Sequence, residues 1–176
     1  MVRNNPLYLR LLGLFLASCL LTGCFTVNFN WTGTLTNTDS NLETLFVDQF
    51  TNEAPIVVPY LAQEVTNQLQ ERFLNQSRLT LTDGAADIEL SGSVVRYNVA
   101  PVAITGSTEA SQNRLTIAIR INFLNNQDED DSWEQTFTKF VDFDAREDFA
   151  SIEEDKINEI LEQVTQDVFT KSLGKW

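Results

Sequence analysis

The chain has 176 residues, 25 acidic against 12 basic side chains, a formal charge of −13, two cysteines and no histidine. The absent histidine removes Ser-His-Asp and Cys-His catalysis, histidine metal sites and most general-base chemistry near neutral pH, and the negative field disfavours nucleic acid. With 43% apolar and only 21% charged residues, this is a globular protein rather than an acidic tail.

The N-terminus reads as an export signal. Arg3 and Arg10 precede the apolar run LLGLFLASCLL, which is shorter than the about 20 residues a spanning helix needs. Leu21, Thr22, Gly23 and Cys24 then resemble a bacterial lipobox, in which the cysteine thiol is alkylated with diacylglycerol and cleavage leaves Cys24 as an acylated N-terminus. Phe25 rather than Asp follows, so the common inner-membrane retention signal is missing and an outer-membrane, periplasm-facing address is expected. Several acyl chains, at about 0.8 kcal/mol per buried CH2, make such an attachment stable. The expected organisation is a signal peptide over 1–23, an acylated tether over 24–41 and one domain over 42–176. Processing removes Cys19 and consumes Cys24, leaving no free thiol, and the loss of Arg3 and Arg10 takes the charge from −13 to −15.

In the mature chain, LETLFVDQF (42–50) predicts the first strand. Pro59 suits the first position of a helix, and Leu61, Val65, Leu69 and Phe73 recur every fourth residue to a helix end near Gln76. RLTLTDGAA adds a short extended piece closed by the turn Asp83-Gly84. DIELSGSVVRYNV (87–99) is a strand whose phase changes. Ile88, Leu90 and Val94 share one face, Val95, Tyr97 and Val99 the other, and a bulge at Val94-Val95 would turn both sets to the core. In NRLTIAIRINF, Leu115, Ile117, Ile119, Ile121 and Phe123 alternate with Arg114, Thr116, Ala118, Arg120 and Asn122, giving one dry face and one wet or partner-facing face. LNNQDEDDS turns the chain, and WEQTFTKFV (133–141) returns antiparallel. Ser151 and Glu154 suggest a capping box for a last helix with the apolar stripe Ile157, Ile160, Leu161, Val164 and Val168. The order β-α-β-β-β-α predicts an α+β two-layer sandwich, two helices on one face of a four-stranded mixed sheet.

Candidates for chemistry are few. DEDD (128–131) lacks the central glycine and distal glutamate of a calcium loop, and a solvated hairpin tip accounts for it. Asp142 and Asp144 form an Asp-x-Asp at a strand end, a pattern some magnesium-dependent phosphotransferases use. Those enzymes need further acids and a downstream lysine on a parallel sheet, so solvent-side strand residues are the better account. No catalytic residue, metal site or cofactor is expected. The asparagines of Asn30-Trp-Thr and Asn75-Gln-Ser match glycosylation sequons, which carry no weight in a bacterial lipoprotein. Arg114 and Arg120 share the polar face of one strand. Pairing with acids such as Glu134 is the reading the residues alone favour, and a face receiving phosphate or another protein is the alternative.

The run VAPVAITGSTEASQNRLTIAIRINF (99–123), with NEAPIVVPYLAQEVTNQLQERF, ADIELSGSVVRY, QTFTKFVDFDA and VFTKSLGKW, resembles LptE-family lipoproteins over nearly the whole mature chain. The resemblance implies a non-enzymatic subunit of the lipopolysaccharide transport and assembly translocon. Such a subunit plugs the lumen of an LptD-type outer-membrane β-barrel, helps that barrel assemble, and contacts lipopolysaccharide. It also implies two helices against a four-stranded sheet, in agreement with the element order. Arg114, which opens the matching strand, and Arg120 are the candidate partner or lipopolysaccharide contacts. The other reading is an anchored structural or ligand-binding lipoprotein without a barrel partner.

Overall fold

A computed structural model describes residues 42–102 and 112–174; the signal segment, Cys24, its lipobox and the tether lie outside these residues. In chain order the elements are β1 (Thr44–Val47), β2 (Thr51–Asn52), α1 (Leu61–Gln76), β3 (Thr80–Leu81), β4 (Ile88–Val102), β5 (Gln112–Asn125), a 3-10 turn at Glu129–Asp131, β6 (Trp133–Asp144) and α2 (Phe149–Leu173). The sheet runs β3-β1-β4-β5-β6, with β2 also pairing β4. β1, β2 and β3 enter parallel pairs, whereas β5 is antiparallel to both β4 and β6. Both helices pack against this mixed sheet, so the α+β reading holds, with six strands in place of four.

The two additional strands have physical causes. The predicted strand 42–50 is interrupted: β1 ends at Val47, the Asp48 amide still donates to the Leu90 carbonyl (2.8 Å), and the ladder resumes at β2. Between them the chain buries Phe50, whose amide donates to the Thr66 hydroxyl of α1 (3.0 Å). Phe50 lies against Gly92, where a side chain would collide with its ring. The short piece after α1 becomes β3 because the Thr80 and Thr82 amides find the Glu43 and Leu45 carbonyls at 2.8 and 2.9 Å.

Leu61, Val65, Leu69 and Phe73 are all fully buried, as their spacing requires, and each buried side chain contributes about 1.5–3 kcal/mol before entropy. Pro59, however, sits before α1 instead of opening it. The Val58 carbonyl accepts from both Leu61 N and Asn52 Nδ2 at 3.2 Å, which holds residues 58–60 as a turn. α2 likewise begins at Phe149, after Asp148, so the Ser151–Glu154 capping box does not form. Ser151 lies inside the first turn, its hydroxyl donating to the Asp148 carbonyl (2.7 Å). Stacking of Phe149 on Phe143, with ring centroids 5.0 Å apart, draws the helix start forward. The stripe Ile157, Ile160, Leu161, Val164 and Val168 is buried, and α2 meets α1 through an edge-to-face contact of Phe169 with Phe73 at 5.2 Å.

The expected bulge is present: the β4–β5 register shifts between Val94 and Arg96. Val94 pairs with Ile119 and Tyr97 with Ile117, so both face the helices and are buried. Val95 is the extra, half-buried residue, and Val99 is left exposed toward the end of the hairpin.

Candidate docking face

The helices cover one face of the sheet, and the alternation on β5 decides what the other carries. Leu115, Ile117, Ile119, Ile121 and Phe123 point into the core, so by alternation Arg114, Thr116, Ala118, Arg120, Asn122 and Leu124 lie on the other face, where the small Ala118 is nonetheless buried. Register places Phe140 opposite Thr116 and Asp142 opposite Arg114 on β6, and Arg96 opposite Ala118 on β4. Arg96, Arg120, Asn122, Thr136, Thr138 and Phe140 are all exposed, so no helix among the described residues covers these positions, whereas the small Ser93 and Ala118 between them are buried. Phe140 is 50% exposed, an unusual position for an aromatic ring at the middle of a strand.

The face carries three arginines in different states. Arg114 is the most constrained: Nε and Nη2 donate to the two carboxylate oxygens of Asp142 at 2.6 and 2.8 Å, and the guanidinium carbon lies 3.7 Å from the Phe140 ring centroid. The hydrogen bonds to Arg114 hold the Asp142 carboxyl below its usual range, and the same bonds raise the guanidinium. This is the two-pronged geometry arginine favours, with a cation–π contact of about 0.5–1 kcal/mol. Arg120 makes a single 3.0 Å contact to Glu53, and both side chains are about half exposed, a pair of little energetic weight. Glu134, the expected acidic partner, instead lies opposite Asn122 and pairs with neither arginine.

Arg96 completes the row and was missed in the sequence. It is exposed and has no ion-pair partner among the described residues. The phase change at Val94-Val95 could have located it, because a bulge that returns Tyr97 to the core turns its neighbour Arg96 outward. Arg114 and Arg120 are six residues apart, about 20 Å along the strand, so they do not form one site. Arg96 stands beside Arg120 diagonally across the β4–β5 pair.

The Asp-x-Asp residues are occupied by arginine. Asp142 is bound as above, and Asp144 accepts from the Arg146 side chain (2.6 Å) and backbone amide (2.9 Å). Those bonds hold the Asp144 carboxyl at about 2. A carboxylate tied to a guanidinium is a poor nucleophile. In the 128–131 turn, Asp128 accepts from the Asp130 amide. Among the described residues, no group of three or more acidic, cysteine or histidine side chains is placed to hold a metal ion.

Solved structures resemble this chain to differing degrees at low sequence identity. A Xanthomonas campestris protein superimposes with a TM-score of 0.51 at 15% identity, covering 76% of this chain and 85% of that one. A minor lipoprotein of Acinetobacter baumannii gives 0.48 at 10% identity, with 72% and 89% covered. Lipoprotein B of Nitrosomonas europaea gives 0.42 at 14% identity, with 72% and 79% covered. No curated protein matches the sequence significantly. The family model for LptE, described as lipopolysaccharide-assembly, matches residues 42–172, from the start of β1 through almost all of α2. The chain belongs to the LptE family of lipopolysaccharide-assembly proteins.

Proposed function

We propose that this protein is a non-enzymatic subunit of the lipopolysaccharide transport and assembly translocon, anchored in the outer membrane through lipid on Cys24 and facing the periplasm. Its open sheet face seats against the inner wall of an LptD-type β-barrel, plugging the barrel and helping it assemble. The observation that carries this reading is the uncovered face itself: a half-exposed Phe140 braced by Arg114, with Arg96 and Arg120 beside it, in a chain whose family works in lipopolysaccharide assembly. Arg114 is committed to Asp142, so its part is to hold Phe140 for a partner surface. Arg120, loosely held, and Arg96, unpaired, are the cations available to a phosphate of lipopolysaccharide. The mature chain's negative field repels anionic lipid at a distance, so such contact is local to these two side chains.

The test is affinity purification from outer membranes in mild detergent, with mass spectrometry of what is retained. The wild-type protein should bring down an LptD-type barrel. Phe140→Glu should lose it while the isolated domain melts within a few degrees of wild type. Recovery of the lipoprotein without any barrel would favour an anchored protein of another role. Replacing Cys24 with Ala should abolish palmitate labelling and leave the domain folded; persistent labelling would end the anchor assignment.

A further inference from the structure

The loop between β2 and α1 presents apolar side chains to solvent in a fixed frame. Ile56 and Val57 are 54% and 60% exposed, and Tyr60 beside them 43%. The residues on either side are anchored: Ala54 and Val58 are buried, and the Asn52 side chain ties them together, accepting from Ala54 N (3.1 Å) and donating to Val58 O (3.2 Å). Pro55 and Pro59 restrict the backbone further. Such a knob loses little conformational entropy on binding, which is what a preorganised contact requires.

Its surroundings define the partner. Glu64, Glu153 and Glu154 border Tyr60, and none has an ion-pair partner among the described residues. Partial burial, and then the charges of these three glutamates, push the Tyr60 phenol up. An open hollow lined by Tyr60, Ala150, Glu153 and Glu154 adjoins the knob. The loop also lies beside the bulge at the middle of β4, because Glu53 N donates to Val94 O, whereas the described chain enters beside Ile88. That separation is about 20 Å along the strand. Glu153 accepts from the Tyr97 hydroxyl and Glu64 from Gln68, which leaves Glu154 the freest of the three. An apolar tip with acids free of ion pairs to one side is repelled by an anionic membrane surface and complements a protein surface of opposite charge.

We infer that Ile56 and Val57 form a second docking knob, separate from the open sheet face, for a protein partner that offers an apolar pocket with a Lys or Arg beside it. The basic side chain enters the hollow between Tyr60 and Glu154. This inference differs from the barrel reading in using the β2 edge of β4 and no arginine as a contact, although Glu53 at the start of the loop pairs with Arg120 of the sheet face.

The experiment places a photocrosslinking amino acid at Val57 of the full chain in cells and identifies the joined peptide by mass spectrometry, with a second probe at Thr138 on the sheet face. The expected result is one protein segment carrying Lys or Arg within a few residues of the joined position. Its yield should fall about tenfold with Glu154→Lys, the scale of one close interfacial charge pair, while the Thr138 product and the melting temperature stay unchanged. Ile56→Ser, another exposed position, should lower the Val57 yield without loss of fold. Crosslinks from Val57 only to lipid, only to a second copy of this chain, or to nothing would overturn the inference. So would a protein product indifferent to Glu154→Lys. Loss of the Thr138 product with the Val57 product retained would sink the barrel reading and leave this one standing.

Discussion

Gly92→Ala tests the packing that shapes the first edge of the sheet. A Cβ at Gly92 would lie 2.0 Å from the Arg120 carbonyl oxygen and 2.7 Å from Cε1 of Phe50, where ordinary contact begins at 3.4 Å. Relief requires β4 to move away from β5 by over an ångström, because the Arg120 oxygen is backbone, and Phe50 also to yield, at the extreme by leaving the core. The first is overpacking, at about 1–3 kcal/mol; the second forfeits about 1.5–3 kcal/mol of burial. The lower entropy of the unfolded chain returns about 0.4–1 kcal/mol. The net loss is about 2 kcal/mol, a fall of roughly 5–10 °C in Tm for a domain of this size. Gly84→Ala is the internal control. No atom lies within 4 Å of its added methyl, so the same change there should be neutral or stabilising by up to about 1 kcal/mol. Thermal and urea unfolding of the soluble domain, followed by circular dichroism, measures both. Equal stability of Gly92→Ala and wild type would refute the close approach of Phe50 to the β4 backbone.

Two further changes probe other parts of the account. Ile117 is fully buried on the helix side of β5, so Ile117→Asp should cost several kcal/mol and abolish cooperative unfolding, because a lone buried carboxylate must either be neutralised or open the core; a variant that melts normally would mean the faces of β5 are misassigned. Asp87 accepts from the Glu43 and Thr44 amides and the Thr44 hydroxyl at 2.8–2.9 Å and from Gln127 at 2.7 Å, bonds that, led by the Glu43 amide, hold its carboxyl below its ordinary 3.8. The unfolded chain therefore binds the proton more tightly, and the stabilisation is complete above about pH 4 and lost as pH falls below it toward the folded value. Asp87→Asn should narrow its stability gap to wild type as pH falls from about 6 to 3, and a gap independent of pH would contradict this.

What the sequence discloses follows the length of its periodic signals. β5 alternates without interruption over its core residues, and α1 and α2 repeat their apolar residues at helical spacing, so their faces were legible. Two-residue strands carry no period: β2 and β3 exist because their backbone groups find partners on β4 and β1. Element starts were displaced by tertiary contacts invisible along the chain, the turn fixed by Val58 before α1 and the Phe143–Phe149 stack before α2. The arginines' outward direction was readable, but their partners were not. Asp142 reaches Arg114 through the β5–β6 register, and Glu53 reaches Arg120 from 67 residues away.

The barrel assignment turns on the outward sheet face being where the LptD-type barrel sits. The direct measurement is in-cell photocrosslinking from Thr138, an exposed residue of that face opposite Ala118, compared with the same probe at Glu159 on the exposed side of α2. The Thr138 probe should join the lumen-facing wall of an LptD-type barrel, and Arg120→Glu should weaken that product while leaving stability within about 0.5 kcal/mol of wild type. Barrel crosslinks from Glu159 but none from Thr138 would contradict it and assign docking to the helical layer.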